Sequence, residues 1–172
     1  MNRRTFTRKE NIMRIRKYSL RINDSGMPFL YTEMSTNYPE IDKISGPRSI
    51  AKMLDDVFGF CQFAEEHLYM LAMIGSRLTG VFEVTHGSPV SSMSSPRNIF
   101  ARLLQCNAST FVLVHNHPSG NVAPSGTDLD TARKLSELSI MMECRMLDFI
   151  VAGREDGELK WWSMFENGEI DL

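Results

Sequence analysis

Two histidines two positions apart, His115 and His117, follow an apolar run from Phe111 to Val114, and an acid, Asp128, stands eleven residues further on. The run FVLV has the composition of a buried strand. Side chains two apart on a strand share a face, so both imidazoles point into one small volume. A loop rich in Pro and Gly, Pro118 to Pro124, leads into Ser125-Gly-Thr-Asp128, which reads as the start of a helix running on through LDTARKLSEL. Asp128 then sits in the first helical turn and can fold back over the strand end. Two imidazole nitrogens and one carboxylate oxygen suit zinc at about 2.0–2.2 Å and leave a fourth tetrahedral position for water, as a catalytic site requires.

Each of these features also has a plain structural reading. Ser-x-x-Asp before a helix is a capping-box pattern, so Ser125 and Asp128 could serve only to satisfy free N–H groups. A histidine pair at a strand end could face solvent. Taken singly these readings have the better claim, but a buried strand, His-x-His and an acid at a helix start rarely coincide by chance.

The same residues carry a family resemblance. His115-Asn-His117-Pro118, six residues, Ser125, two residues and Asp128 reproduce the order His-x-His-Pro-x6-Ser-x2-Asp. That order resembles the JAMM (MPN-type) zinc metalloproteases, and the wording HNHPSG, with Asn between the histidines, is similar more narrowly to their RadC-like branch. The likeness continues in weaker form from Ile44 to the C-terminus, through GPRSIAKML, SPRNIFARLLQCNAS and WWSMFENGEI. It implies an αβα sandwich of the MPN/JAB kind, Zn2+ held by His115, His117 and Asp128, and hydrolysis of a peptide or isopeptide bond in a protein or peptide substrate. It also implies an upstream glutamate as general base, which it places at Glu83. Glu65 and Glu66 fit that position less well, and an exposed strand face is the plain account of Glu83. Ser125 takes the role of stabilising the oxyanion. Two departures stand out: Asp148 is followed by Phe149 where the RadC-like branch usually has histidine, and longer members carry a helix-hairpin-helix region for which the residues before Ile44 leave no room.

The surrounding elements must position these groups. Ser49 to Phe58 turns Ile50, Met53, Leu54 and Val57 to one helical face. Leu68 to Ile74 and Val81 to Thr85 read as a strand pair around a turn at Gly75 to Gly80, with Phe82 and Val84 on one face and Glu83 on the other. After a small-residue loop, Gly87 to Ser94, Ser95-Pro96 opens a helix to Gln105 that turns Ile99, Phe100, Leu103 and Leu104 inward. Met146 to Val151 and Leu159 to Trp162 supply further strands around a turn at Gly157. Strands alternating with helices imply an α/β fold with a mixed β-sheet flanked by helices. Asn116 points away from its histidine neighbours and reads as structural, and His67 and His86 read as packing or surface residues.

The 172 residues suggest one domain, 46–172, preceded by a basic and partly flexible N-terminal extension, 1–45. Within the extension, Tyr18 to Ile22 and Phe29 to Tyr31 form short apolar patches around a turn at Asn23-Asp-Ser-Gly26. Residues 1–21 carry a net charge of +7 and the remainder −9. Arg3 to Arg21 therefore read as a solvated tail or as an arm for nucleic acid or an acidic surface, with the tail favoured. A hydrophobic content of 42% and charge of 23% are ordinary for a globular chain, and no apolar run is long enough for a membrane span. Cys61, Cys106 and Cys144 are odd in number and widely spaced, which favours reduced thiols in a cytoplasm over a disulfide framework. The expected function is thus a cytoplasmic zinc metallopeptidase. The alternative is a DNA-repair-associated accessory protein that binds nucleic acid through the basic arm. H-x-E with P-C-x-x-C, for a deaminase, and H-E-x-x-H, for a zincin, are both missing.

Overall fold

The computed structural model describes residues 12–39, 44–87 and 95–170. The first four basic residues of the arm, Arg3, Arg4, Arg8 and Lys9, and most of the loop expected at Gly87 to Ser94, lie outside the described residues.

Chain order runs β1 Met13–Ile22, β2 Pro28–Tyr38, α1 Pro47–Phe58, a short 3₁₀ turn Phe60–Gln62, β3 His67–Ile74 and β4 Arg77–His86. Then come α2 Pro96–Gln105, β5 Thr110–Asn116, α3 Gly126–Met141, β6 Arg145–Glu155 and β7 Glu158–Ser163. The strands form one seven-stranded mixed sheet in the order β2-β1-β4-β3-β5-β6-β7. β1 runs parallel to β4 and β5 to β6, and the other neighbours are antiparallel.

Why β3 and β5 lie at the centre follows from their sequences: HLYMLAMI and TFVLVHN are buried almost throughout, as strands covered on both faces must be. The two-residue alternation then sorts the core. Tyr69, Leu71, Met73, Val112 and Val114 pack with Ile50, Met53 and Leu54 of α1 on one face. Leu68, Met70, Ala72, Phe111 and Leu113 pack with Ile99, Phe100 and Leu103 of α2 and Ala132 and Leu135 of α3 on the other. Helices on both sides of a mixed sheet make the αβα sandwich that the alternation of elements predicts. α1 is further tied to β6 through Asp55, whose Oδ2 accepts from Arg154 Nε at 2.9 Å and Nη2 at 2.6 Å.

Residues 12–39, the part of the extension that the structure describes, hold more strand than the sequence reading implies. The two apolar patches are parts of longer strands, β1 and β2, joined by a turn in which Asn23 Oδ1 accepts from the N–H of Ser25 and Met27. This hairpin lies against β4 through the pairing of Lys17 with Val81 and extends the sheet. Three of its basic residues are engaged locally: Arg14 Nε donates to Ser35, Lys17 reaches Glu83, and the Arg21 guanidinium lies 3.6 Å from the centre of the Tyr31 ring. No described helix is long and apolar enough to cross a membrane.

Candidate metal centre

His115, the last residue but one of β5, lies on the face covered by α2 and α3, because it continues the alternation of Phe111 and Leu113. Its ring is almost wholly buried and its Nδ1 lies 3.1 Å from the main-chain oxygen of His67. His117 follows one step past the strand, with its N–H bonded to Ala152 O and its Nδ1 2.6 Å from Asn121 O. A carbonyl can only accept, so each neutral ring carries its proton on Nδ1 and presents the lone pair of Nε2. The two rings stand at 88° with centroids 4.9 Å apart. Carbonyl-oriented imidazoles of this kind are what a metal-ligating pair requires.

Two acids complete the group. Asp128 Oδ2 lies 3.7 Å from His117 Nε2, and Glu66 Oε2 lies 3.8 Å from His115 Nε2. Ligand atoms of Glu66, His115 and His117 all fall within 4.8 Å of one another. Burial pushes the Asp128 carboxyl up, but the His117 ring beside it and the hydrogen bonds from Ser125 outweigh it and take the group down to about 2. Asp128 in turn raises His117, whereas burial lowers His115. Asp128 stands against His117 and outside that trio, so the cleft offers two imidazoles with a carboxylate beside each, donors suited to zinc among other N/O-preferring metals.

Ser125 and Asp128 act as a helix cap and as members of the site at once. Ser125 Oγ accepts from Asp128 N at 3.1 Å, while Asp128 Oδ2 accepts from Ser125 N at 2.8 Å and from Ser125 Oγ at 2.7 Å. The cap aims the carboxylate, since the oxygen that closes the capping box is the one that faces His117. A cleft of about 420 Å³ opens here, lined by Glu66, His117, Ser119, Asn121, Ser125 and Asp128 among others. The turn between His117 and the helix depends on Gly120, which has φ 82° and would set a Cβ only 2.3 Å from Arg154 O. No other residue fits there.

Glu83 is not in this group. In the β3–β4 register it pairs with Tyr69, which puts it on the α1 face of the sheet, opposite to His115. There its Oε2 accepts from Lys17 Nζ at 2.7 Å and its Oε1 lies 3.0 Å from His67 Nδ1. Lys17 and His67 outweigh burial and hold its carboxyl below the usual range. The glutamate brought to the histidine pair is Glu66, just before β3 and in the alternation of Leu68, the residue that pairs with His115. Sequence reading ranks it below Glu83, because the register between β3 and β5 is needed to see which glutamate shares the histidines' face.

Asn116 is fully buried between the two histidines and points to the other side. Its Oδ1 accepts from His67 N at 2.6 Å and its Nδ2 donates to Glu65 O at 3.0 Å, so one carboxamide grips the main chain on both sides of Glu66. Asp148 lies elsewhere: its carboxylate accepts from Ser163 Oγ at 2.6 Å and Phe165 N at 3.0 Å, and Phe149 beside it is core. The three cysteines are free.

Comparison with known proteins gives a consistent picture. Residues 44–169 match the RadC-like JAB domain. The chain is 35% identical over 95 residues to a UPF0758 protein of Thermosynechococcus vestitus, a stretch covering 55% of this chain and 38% of the relative. It is 32% identical over 131 residues to a UPF0758 protein of Pelobacter propionicus, covering 76% of this chain and 55% of the relative. A UPF0758 protein of Chlorobium phaeovibrioides is 32% identical over 107 residues, covering 62% and 46%. The chain spans about half the length, or less, of these relatives.

Proposed function

With membership of the RadC-like JAB domain family as the premise, since the chain belongs to it over residues 44–169, we propose that this protein is a zinc-dependent hydrolase of peptide or isopeptide bonds. The observation that carries this reading is the convergence of two Nε2 lone pairs, Asp128 and Glu66 at one cleft. His115, His117 and Asp128 would hold the ion. Zinc bound there supplies a Lewis acid that polarises the substrate carbonyl and acidifies water towards a pKa of about 7.

The chain's own residues do the rest. Glu66 takes the proton from the attacking water and returns it to the leaving amine, a role that needs a carboxylate beside the ligands and open to the cleft. At 41% side-chain exposure Glu66 has that access. The Ser125 hydroxyl, at the cleft wall, would turn its single proton from Asp128 Oδ2 to the oxyanion that forms on the carbonyl. The main-chain oxygens of His67 and Asn121 hold the imidazoles in the ligating tautomer throughout. Asn116 fastens Glu66 from behind.

The test is Glu66→Gln. The amide keeps size and polarity but cannot take the proton, so zinc content should match that of the parent while turnover of a peptide or isopeptide substrate panel falls by roughly 10²-fold or more. Full turnover in the zinc-loaded variant would overturn the assignment of the base.

A further inference from the structure

On the other face of the sheet from His115, a second cluster of ligand-type side chains joins β3 to β4. His67 is buried and stacked on Phe63 at 4.0 Å, with Nδ1 3.0 Å from Glu83 Oε1. His86 places its own Nδ1 3.8 Å from the same oxygen. Ligand atoms of His67, Glu83 and His86 all lie within 4.8 Å of one another. Lys17 binds Glu83 through Oε2 at 2.7 Å, which leaves Oε1 to the two imidazoles.

Behind His86 stands a second carboxylate: Glu65 Oε2 is 2.8 Å from its Nε2. In a neutral ring that contact places the proton on Nε2 and turns the Nδ1 lone pair towards Glu83, the arrangement by which an outer carboxylate orients a metal-ligating histidine. Two electron-rich atoms then face each other across 3.8 Å, a spacing that a cation relieves. Tetrahedral bonds of about 2.0–2.2 Å set ligand atoms roughly 3.3–3.6 Å apart, and the distances of 3.0 and 3.8 Å to Glu83 Oε1 bracket that figure.

We propose that His67, Glu83 and His86 form a second divalent-cation site of zinc type, back to back with the centre at His115 and His117. Binding needs His67 to carry its ring proton on Nε2 and His86 to tip out of its stack on His67, where the centroids are 4.3 Å apart. His86 is exposed on the surface and free to do so; His67, held by Phe63, stays. The fourth position falls to water. Since Glu65 and His67 are the residues on either side of Glu66, an ion here fastens the segment that carries the proposed base. The Lys17 ammonium weakens this second site relative to the first. It does not rest on the hydrolase reading.

Zinc titration of the metal-free full chain by calorimetry, with metal content checked after dialysis, tests it. The parent should take up two equivalents, the second at least tenfold weaker. His117→Ala should keep the weaker one, and His86→Ala, a change at an exposed position, should keep only the stronger. In the His117→Ala background, adding His86→Ala or Glu83→Gln should each remove the remaining equivalent. A single equivalent abolished by His117→Ala sinks the second site and leaves the first standing; a single equivalent abolished only by His86→Ala does the reverse. Weak uptake that survives Glu83→Gln means a lone surface imidazole, and also overturns the proposal.

Discussion

Asn116→Ala isolates a contact on which the candidate centre depends without touching a ligand. The substitution removes the acceptor of the His67 N–H, a group with no access to water, and the donor to Glu65 O at the edge of the cluster. Leaving a buried N–H without a partner costs about 1–3 kcal/mol. The Glu65 carbonyl can turn to water, so its loss adds about 1 kcal/mol at most. The expected total is about 2–4 kcal/mol, and at about 2–4 °C per kcal/mol for a chain of this size the Tm should fall by at least about 4 °C. Because the His67 carbonyl that orients His115 belongs to the same segment, zinc affinity should drop as well, by the roughly tenfold or more seen when an outer partner of a ligand is disturbed. Urea unfolding of the metal-free protein and zinc competition with a chelator read the two effects separately. A stability loss under about 0.5 kcal/mol with unchanged zinc affinity would refute the claim that Asn116 holds this segment.

Gly120→Ala should destabilise the fold by at least about 1–2 kcal/mol, from the cost of φ 82° alone; the clash with Arg154 O moves the turn that carries His117, so zinc affinity should fall in the same variant, measured by chelator competition. In metal-free protein the Asp128 carboxyl lies at about 2 against an ordinary 3.8, a depressed value, so its contribution is present above pH 4 and is lost as pH falls from about 4 to about 2. That contribution is up to about 2 kcal/mol. Asp128→Asn should therefore flatten the acid limb of the stability curve, and an acid limb identical to the parent's in guanidinium unfolding between pH 2 and 5 would count against the Ser125–Asp128–His117 network.

What could be read from the chain divides by the range of the interaction that decides it. His115, His117, Ser125 and Asp128 fall within one strand end, one tight turn and one helix cap, so their meeting is decided by alternation, by a glycine that the turn demands and by a capping box, all of which are local. For Asp128 the cap reading holds, and the same oxygen, Oδ2, that accepts from Ser125 also faces His117. The glutamate is a different matter. Opposition to Phe82 along β4 was legible, and that opposition is the reason Glu83 cannot reach the histidines, because Phe82 and His115 lie on the same face. Seeing this requires the pairing of β3 with both neighbours, Tyr69 with Glu83 and Leu68 with His115, which joins residues nearly fifty positions apart. The β1–β2 hairpin was underread for the opposite reason. β2 is an edge strand exposed at most of its positions, so it has little apolar alternation to betray it, and its order comes from partners rather than from its own pattern. The same hairpin carries Lys17 to Glu83, and with it the charge that separates the two faces of this sheet: a carboxylate already paired with an ammonium on one side, and on the other a glutamate left open beside two lone pairs. In the proposed hydrolase the proton transfer at the cleft is therefore assigned to Glu66, whose half-exposed carboxylate stands 3.8 Å from His115 Nε2 and, unlike Glu83, is not held by Lys17.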